Sequence, residues 1–335
     1  MSAKRRGAVY AVLLVAAAMA GCGGDQSALN PRSEPSRDIA TLWWWMLGAA
    51  AVVFAGAVGL IAMAWLTRRR EGAPIFSRGE GFDFGMVVLF GMGIPSVVLI
   101  ALFVVANFVV MPSTDAPAAP RTSMTIEVTG QQWFWQVRYP ANGAVTANEI
   151  HIPVNTRVEV VAQTADVIHS FWIPQLNRKI DMIPGRRNRV LLYAEKPGRY
   201  RGQCAEFCGL QHAHMAMYVY ADPPDRFRAW LAEQAKPRTS PTTASAQRGE
   251  QLFTDNQCAS CHTIRGTPAA GRVGPDLTHV GARTTLAALT IPNDPAHLES
   301  WIRNPQRIKP GNRMPSFLLD QADTRAVVDY LKGLK

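Results

Sequence analysis

Gln203-Cys204-Ala205-Glu206-Phe207-Cys208-Gly209-Leu210-Gln211-His212-Ala213-His214-Met215 gathers thiols, imidazoles and a thioether into one short stretch. Thiolate and thioether sulfur select copper(I), and imidazole suits copper in either oxidation state. One cysteine would suit a single blue-copper site. Two thiolates can bridge two copper ions, which spreads a transferred electron over both metals and leaves the protein little to rearrange. A further imidazole comes from Val167-Ile168-His169-Ser170-Phe171-Trp172-Ile173-Pro174, an apolar, strand-like segment that would exclude water. Cys204, Cys208, His212 and His169 also match a four-ligand zinc module, and a periplasmic copper chaperone could use a C-x-x-x-C pair. The zinc module leaves Met215 and Trp133 without a purpose, and a chaperone does not need His212 and Met215 in the same loop.

Around this stretch the hydrophobic period is two. Met124-Thr125-Ile126-Glu127-Val128 alternates, and residues 133–139, 158–161, 189–193 and 217–220 read as further short strands. Asn142-Gly143, Pro184-Gly185 and Pro197-Gly198 are turn signals between them. Short strands at this spacing predict a β-sandwich over residues 121–234. Residues 225–234 read as a terminal helix, and 235–245, rich in Pro, Ser and Thr, as a polar linker.

Beyond the linker, residues 246–335 read as short helices and loops, an all-α domain. Cys258-Ala259-Ser260-Cys261-His262 has a spacing with a chemical cause. Two thiols one helical turn apart can form thioethers to two vinyl groups of one haem, and the next residue, His262, reaches the iron. Met314, in Pro310-Gly311-Asn312-Arg313-Met314-Pro315, is the candidate sixth ligand, with His279 and His297 as alternatives. A redox disulfide or half a zinc site would not need the histidine that follows. Gly274-Pro275-Asp276-Leu277 and the late Met-Pro resemble the class I cytochromes c. Residues 322–334 would then be the C-terminal helix that packs on the N-terminal one.

The first third of the chain reads as export and membrane. Lys4, Arg5 and Arg6 precede a short apolar run, and residues 1–21 read as a signal peptide. Met19-Ala20-Gly21-Cys22 resembles a lipoprotein cleavage site, which makes Cys22 the candidate lipidated start of the mature chain. Residues 41–66 and 84–111 are free of charge, and each exceeds the ~20 residues that cross the hydrocarbon core. They form the transmembrane hairpin expected over 38–111. Arg68, Arg69, Arg70 and Arg78 lie between them, so that loop is cytoplasmic and both ends of the chain face outward. The formal charge of +10 falls to +7 when Lys4, Arg5 and Arg6 leave. Part of the remainder belongs to the cytoplasmic loop, so the balance gives no support to a nucleic-acid partner.

Over residues 38–234 the sequence resembles subunit II of the haem–copper cytochrome c oxidases. The resemblance is carried by the hairpin, Gly130-Gln131-Gln132-Trp133-Phe134-Trp135, the segment from Val167 to Pro174, Lys179-Ile180-Asp181-Met182-Ile183-Pro184-Gly185-Arg186, and the Cys204–Met215 loop. It implies a cupredoxin-like domain with binuclear copper A held by His169, Cys204, Cys208, His212, Met215 and the carbonyl of Glu206. His214 is then a bystander. It further implies a magnesium ion at the Glu206 side chain on the boundary with subunit I, and Trp133 as the residue through which electrons enter. Asp181 and Arg186 would lie near that boundary. The activity implied is that of a proton-pumping cytochrome-c oxidase, a translocase. Electrons would pass from cytochrome c, or another periplasmic or membrane donor, through haem c and copper A to the oxygen-reducing centre of subunit I. Other oxidase subunits and the lipid bilayer are the implied partners, and the bacterial inner membrane the location, crossed twice with both terminal domains periplasmic. Two departures stand out. Gln131 occupies a position where the family often has His, and Glu80 and Asp83 precede the second span where the family often has a carboxylate inside it. The second leaves a role in proton uptake unsupported.

Overall fold

A computed structural model describes residues 24–67, 80–116 and 122–335. The leader, Cys22 and the arginine-rich loop with Arg78 lie outside the described residues. The chain divides into two compact units, Arg37–Asp115 and the remainder.

The smaller unit holds most of helix α1 (Glu34–Thr67) and the segments α2 (Glu80–Val88), α3 (Ile94–Val105) and α4 (Met111–Thr114). Glu34–Leu66 and Phe84–Thr114 are each long and apolar enough to cross a membrane. Their outward side chains, such as Val52, Phe54, Phe84 and Phe108, are large, apolar and exposed. Helix α1 begins ahead of the apolar run because Glu34 sits in its first turn, where the helix dipole favours an acid. Wide π-turns at Leu89–Gly93 and Ala106–Val110 interrupt the second helix. Each lies just before a proline, Pro95 and Pro112. A proline has no N–H and its ring collides with the carbonyl four residues back, so the preceding turn must widen.

In the larger unit the expected sandwich is present. Its strands are β1 (Met124–Gln131), β2 (Phe134–Tyr139), β3 (Ala144–Ala147), β4 (Glu149–Pro153), β5 (Val158–Thr164), β6 (His169–Trp172), β7 (Ile180–Met182), β8 (Asn188–Leu192), β9 (Gly198–Cys204) and β10 (Ala216–Asp222). One sheet has the order β3-β2-β1-β5-β8 and the other β4-β10-β9-β6-β7. Ile126, Val128, Trp135, Val160 and Met217 fill the space between the sheets. The sequence pattern misses β7 and β9, and also β3 and β4, whose residues are buried almost throughout, so their period of two vanishes. It also extends β2 one residue too far: Trp133 belongs to the two-residue turn joining β1 to β2, after a cis Gln132–Trp133 peptide. Residues 24–36 lie on this sandwich. The Arg32 amide donates to the Gln175 carbonyl at 2.8 Å, and the buried Ser33 and Ser36 hydroxyls donate to the carbonyls of Leu176 and Gln175.

Helix α5 (Pro224–Ala235) closes the sandwich. The all-α domain follows, with α6 (Ala244–Asp255), α7 (Cys258–Cys261), α8 (Pro295–Arg303), α9 (Pro305–Ile308) and α10 (Gln321–Gly333). Thr243, Asp294 and Asp320 cap α6, α8 and α10 through their side-chain oxygens. The expected pairing of terminal helices is present: α6 crosses α10 over Gly249, where a β-carbon would lie 2.0 Å from the Ala326 carbonyl oxygen. The segment between α5 and α6 is less free than its composition suggests. The Arg238 amide donates to the Arg265 carbonyl at 3.0 Å, Arg265 donates to the carbonyls of Gln234 and Ala235, and Arg238 pairs with Glu250.

Candidate copper and haem centres

The copper loop is closed by backbone geometry. Strands β9 and β10 are antiparallel neighbours, and the Cys204 amide donates to the Met215 carbonyl at 2.8 Å, so the loop leaves and returns at one point. Strand β6 lies on the other side of β9, with Phe171 opposite Cys204. That register brings His169, at the start of β6, to the same end of the sheet.

All six expected donors converge there. The two sulfurs, Cys204 Sγ and Cys208 Sγ, are 3.8 Å apart. His169 Nδ1 lies 3.8 Å from the first, and His212 Nδ1 3.6 Å from the second. Met215 Sδ is 3.9 Å from Cys208 Sγ, and the Glu206 carbonyl oxygen 3.2 Å from Cys204 Sγ. His169, Cys204, Cys208 and Met215 are buried, whereas the Glu206 side chain points to solvent. His214 turns away and bonds Gln211 Oε1 through Nδ1 at 2.7 Å. Asp181 and Arg186 are exposed; Asp181 lies opposite Ser170 of β6 and its carbonyl accepts from Asn188 Nδ2, and the Arg186 amide donates to the Ile183 carbonyl at 3.0 Å. Two thiols this close share one proton: the hydrogen bond from Cys208 holds Cys204 far below the usual thiol range, and the same pairing, with burial, pushes Cys208 up. Two cations would displace both protons, as metal binding by thiolates requires. A soft, buried, two-sulfur set fits a copper pair.

Sequence reading missed the group that aims His169. Asp166 Oδ1 bonds His169 Nε2 at 2.9 Å, leaving Nδ1 to face the sulfurs. Burial alone would lower the His169 pKa, but the bonds to Cys204 and Asp166 outweigh it and raise it. Asp166 also accepts from the Gln132 amide at 2.8 Å, and the Gly130 backbone lies so close beneath the ring that a β-carbon would sit 2.8 Å from His169 Cδ2. An aspartate three residues before a ligand histidine, in a turn, is the only sequence signal for this.

Cys258, Cys261 and His262 line a large apolar cavity with Met314, Leu298 and Val327 in its wall. The thiols of Cys258 and Cys261 are free. His262 Nδ1 bonds the Pro275 carbonyl at 2.8 Å, which leaves Nε2 as a lone-pair donor. Burial lowers the His262 pKa and keeps the ring neutral. Behind it a β-carbon on Gly274 would come within 2.4 Å of His262 Cε1, so only glycine is tolerated. Arg283 Nε and Thr285 Oγ1 are buried in the same wall without a hydrogen-bond partner. Orphaned donors in an apolar box suit the carboxylates of a haem. Met314 is held from both sides, its amide bonded to Asn312 Oδ1 at 2.8 Å and its carbonyl to Gln306 Nε2 at 2.9 Å. His297 pairs with Asp294 at the surface and His279 with the Lys236 carbonyl; neither lines the cavity.

Trp133 joins the two sites. It is only 9% exposed, lines the haem-domain cavity, and donates its indole Nε1–H to the Cys208 carbonyl at 2.9 Å. Its ring packs over Gly209 of the copper loop, where φ is +109°. Lys309, from the all-α domain, is also buried at this junction, and burial pushes its ammonium down to about 7.

Residues 142–221 match the family described as cytochrome c oxidase subunit II, periplasmic domain, and residues 246–335 match cytochrome c. Cytochrome c oxidase subunit 2 of Alkalihalophilus pseudofirmus is 37% identical over 246 residues, covering 72% of this chain and 71% of the relative. That of Bacillus subtilis is 32% identical over 224 residues, covering 64% and 63%. The protein of the same name from Bacillus sp. strain PS3 is 30% identical over 259 residues, covering 72% of each. Among solved structures, the periplasmic domain of subunit II of the Bradyrhizobium japonicum cytochrome oxidase is 36% identical, covering 34% of this chain and 94% of that one, with a TM-score of 0.33.

Proposed function

Because the chain belongs to the cytochrome c oxidase subunit II family and carries a cytochrome c domain, we infer that it is the electron-accepting subunit of the oxidase, taking electrons from cytochrome c through its own haem domain to copper A and on to subunit I. One observation carries this reading: Trp133 lines the haem-domain cavity and hydrogen-bonds the backbone of Cys208 in the copper loop. Copper A and haem c supply one-electron redox chemistry when bound. His169, Cys204, Cys208, His212, Met215 and the Glu206 carbonyl would hold the copper pair. Cys258 and Cys261 would bind the haem covalently, His262 and Met314 would ligate its iron, and the orphaned donors of Arg283 and Thr285 would serve its carboxylates. Asp166 fixes the His169 ring, while Leu298 and Val327 keep water from the haem pocket. The exposed Glu206 carboxylate offers magnesium a ligand at the subunit I boundary.

With Trp133 under the all-α domain, a soluble donor reaches copper by way of the haem. The bond from the Arg32 amide to Gln175 and those from Ser33 and Ser36 hold residues 32–36 on the copper domain. That supports a two-pass subunit of the bacterial inner membrane with both terminal domains on the periplasmic side. The domains follow at 1–21 (leader, with Cys22 lipidated), 38–111 (spans), 121–234 (copper), 235–245 (connection) and 246–335 (haem). The test is Trp133→Phe in the assembled oxidase. Unchanged copper and haem content with severalfold slower oxidation of cytochrome c is expected; an unchanged rate would remove Trp133 from the route.

A further inference from the structure

Lys309 is a buried cation that the relay chemistry does not use. It is 2% exposed and, among the described residues, has no acidic partner within bonding distance. Its ammonium instead donates to three carbonyls, Trp133 at 2.8 Å, His214 at 2.8 Å and Ala287 at 3.1 Å. A lysine has three donors and no acceptor, so the group is fully satisfied. Two of the carbonyls belong to the copper domain and one to the haem domain. The Ala287 carbonyl belongs to a run, Ala287-Ala288-Leu289, held at positive φ.

The neighbours of Lys309 touch the same surface. The Pro310 carbonyl accepts from Gln211 Nε2 at 2.7 Å. A β-carbon on Gly311 would meet Leu210 Cδ1 at 2.8 Å. Arg313 reaches Gln132 and Asp166 at 3.3 and 3.4 Å. The segment that ends in Met314 is therefore also the segment that docks on the copper loop. Within it Lys309 is the desolvated centre and the exposed Arg313 the rim, the arrangement in which interface energy concentrates. A second contact lies elsewhere: Thr284 donates its amide and hydroxyl to Glu149, both at 2.8 Å, and bonds Tyr220.

The geometry points to Lys309 as the positioning residue that holds the haem domain against Trp133 and the copper loop. This rests on the relay reading. An ammonium with three converging carbonyls fixes a point in space, whereas packing alone permits sliding, and the carbonyl of Trp133 itself is one of the three. The expected consequence is that removing the ammonium loosens the junction without disturbing either centre.

Lys309→Met keeps the stem and removes the donors. In the full-length chain, backbone amide exchange is expected to rise at least about tenfold in residues 284–289 and 309–313, since hydrogen bonds from charged donors are the strong ones. It should stay unchanged elsewhere, with or without copper. Haem-to-copper electron transfer should slow by at least about tenfold once the measured potentials of both centres are used to correct for driving force. Thr284→Val, which loosens the second contact, should leave that rate near wild type. Wild-type exchange and rate in Lys309→Met overturn the proposal, and so does an equal slowing by Thr284→Val. If the methionine variant does not mature with haem, Lys309→Gln is read by the same criteria. Absence of transfer in the wild-type chain would instead defeat the relay reading itself.

Discussion

Asp166 and His169 sit three residues apart and face each other at 2.9 Å, so the carboxylate sets which imidazole nitrogen meets the sulfurs. Asp166→Asn keeps the size but loses an acceptor for the ring N–H. Groups that orient a ligand typically contribute 10–100-fold to metal affinity. The expected outcome is about tenfold weaker copper retention in a competition titration, with haem content unchanged. Cys208→Ser is harsher, because it removes the sulfur that lies within 4 Å of Cys204, His212 and Met215. Metal analysis of that variant should find no copper pair. The donors were legible because each is a rare residue type at a short, fixed spacing. Asp166 and Lys309 were not: aspartates and lysines are common, and what distinguishes these two is the company that the fold brings to them. Trp133 was legible as a residue but not in its position, since nothing in the sequence announces a turn between Gln131 and Phe134.

Among the elements, the crossing of α6 and α10 is the most exacting. Replacing Gly249 by alanine gains up to ~1 kcal/mol of helix propensity. It also drives a β-carbon into the Ala326 carbonyl, a backbone atom that cannot rotate away. Overpacking of this kind costs ~1–3 kcal/mol or more, so sterics win. Thermal unfolding of Gly249→Ala should show the haem domain destabilised by roughly 2 kcal/mol. On α10, Tyr330 is buried, and that burial pushes its hydroxyl up to about 12. The folded state therefore holds its proton where the unfolded chain has lost it. The contribution is complete below pH ~10 and disappears as the pH rises through about 12, a loss of up to roughly 2 kcal/mol. Tyr330→Phe should flatten the alkaline limb of the stability curve; an unchanged limb would contradict this. Secondary structure was legible where one face is wet, as in β1, β2 and α10. It failed for β3 and β4, which have no wet face, and for β9, whose Gly198, Arg199, Arg201 and Gly202 disguise an alternating strand.

Taken whole, the chain joins a membrane anchor, a copper sandwich and a haem domain. The first two were readable as separate periods, one unbroken apolar and one alternating. How the haem domain meets the sandwich was not readable, because the junction is made of backbone carbonyls and of residues drawn from several separate loops and strands. Composition suggested a slack tether between them, yet Arg238 and Arg265 tie that tether down. Within the larger unit the copper and haem domains meet around Trp133, whose side chain is protected from solvent. Its use depends on a copper pair being present on the far side. The most direct test is the electron paramagnetic resonance spectrum of the full-length, copper-loaded chain after partial oxidation, taken with metal counts. Two coppers per chain and one unpaired electron shared between them are expected. A single-copper signal, or zinc in place of copper, would contradict the account.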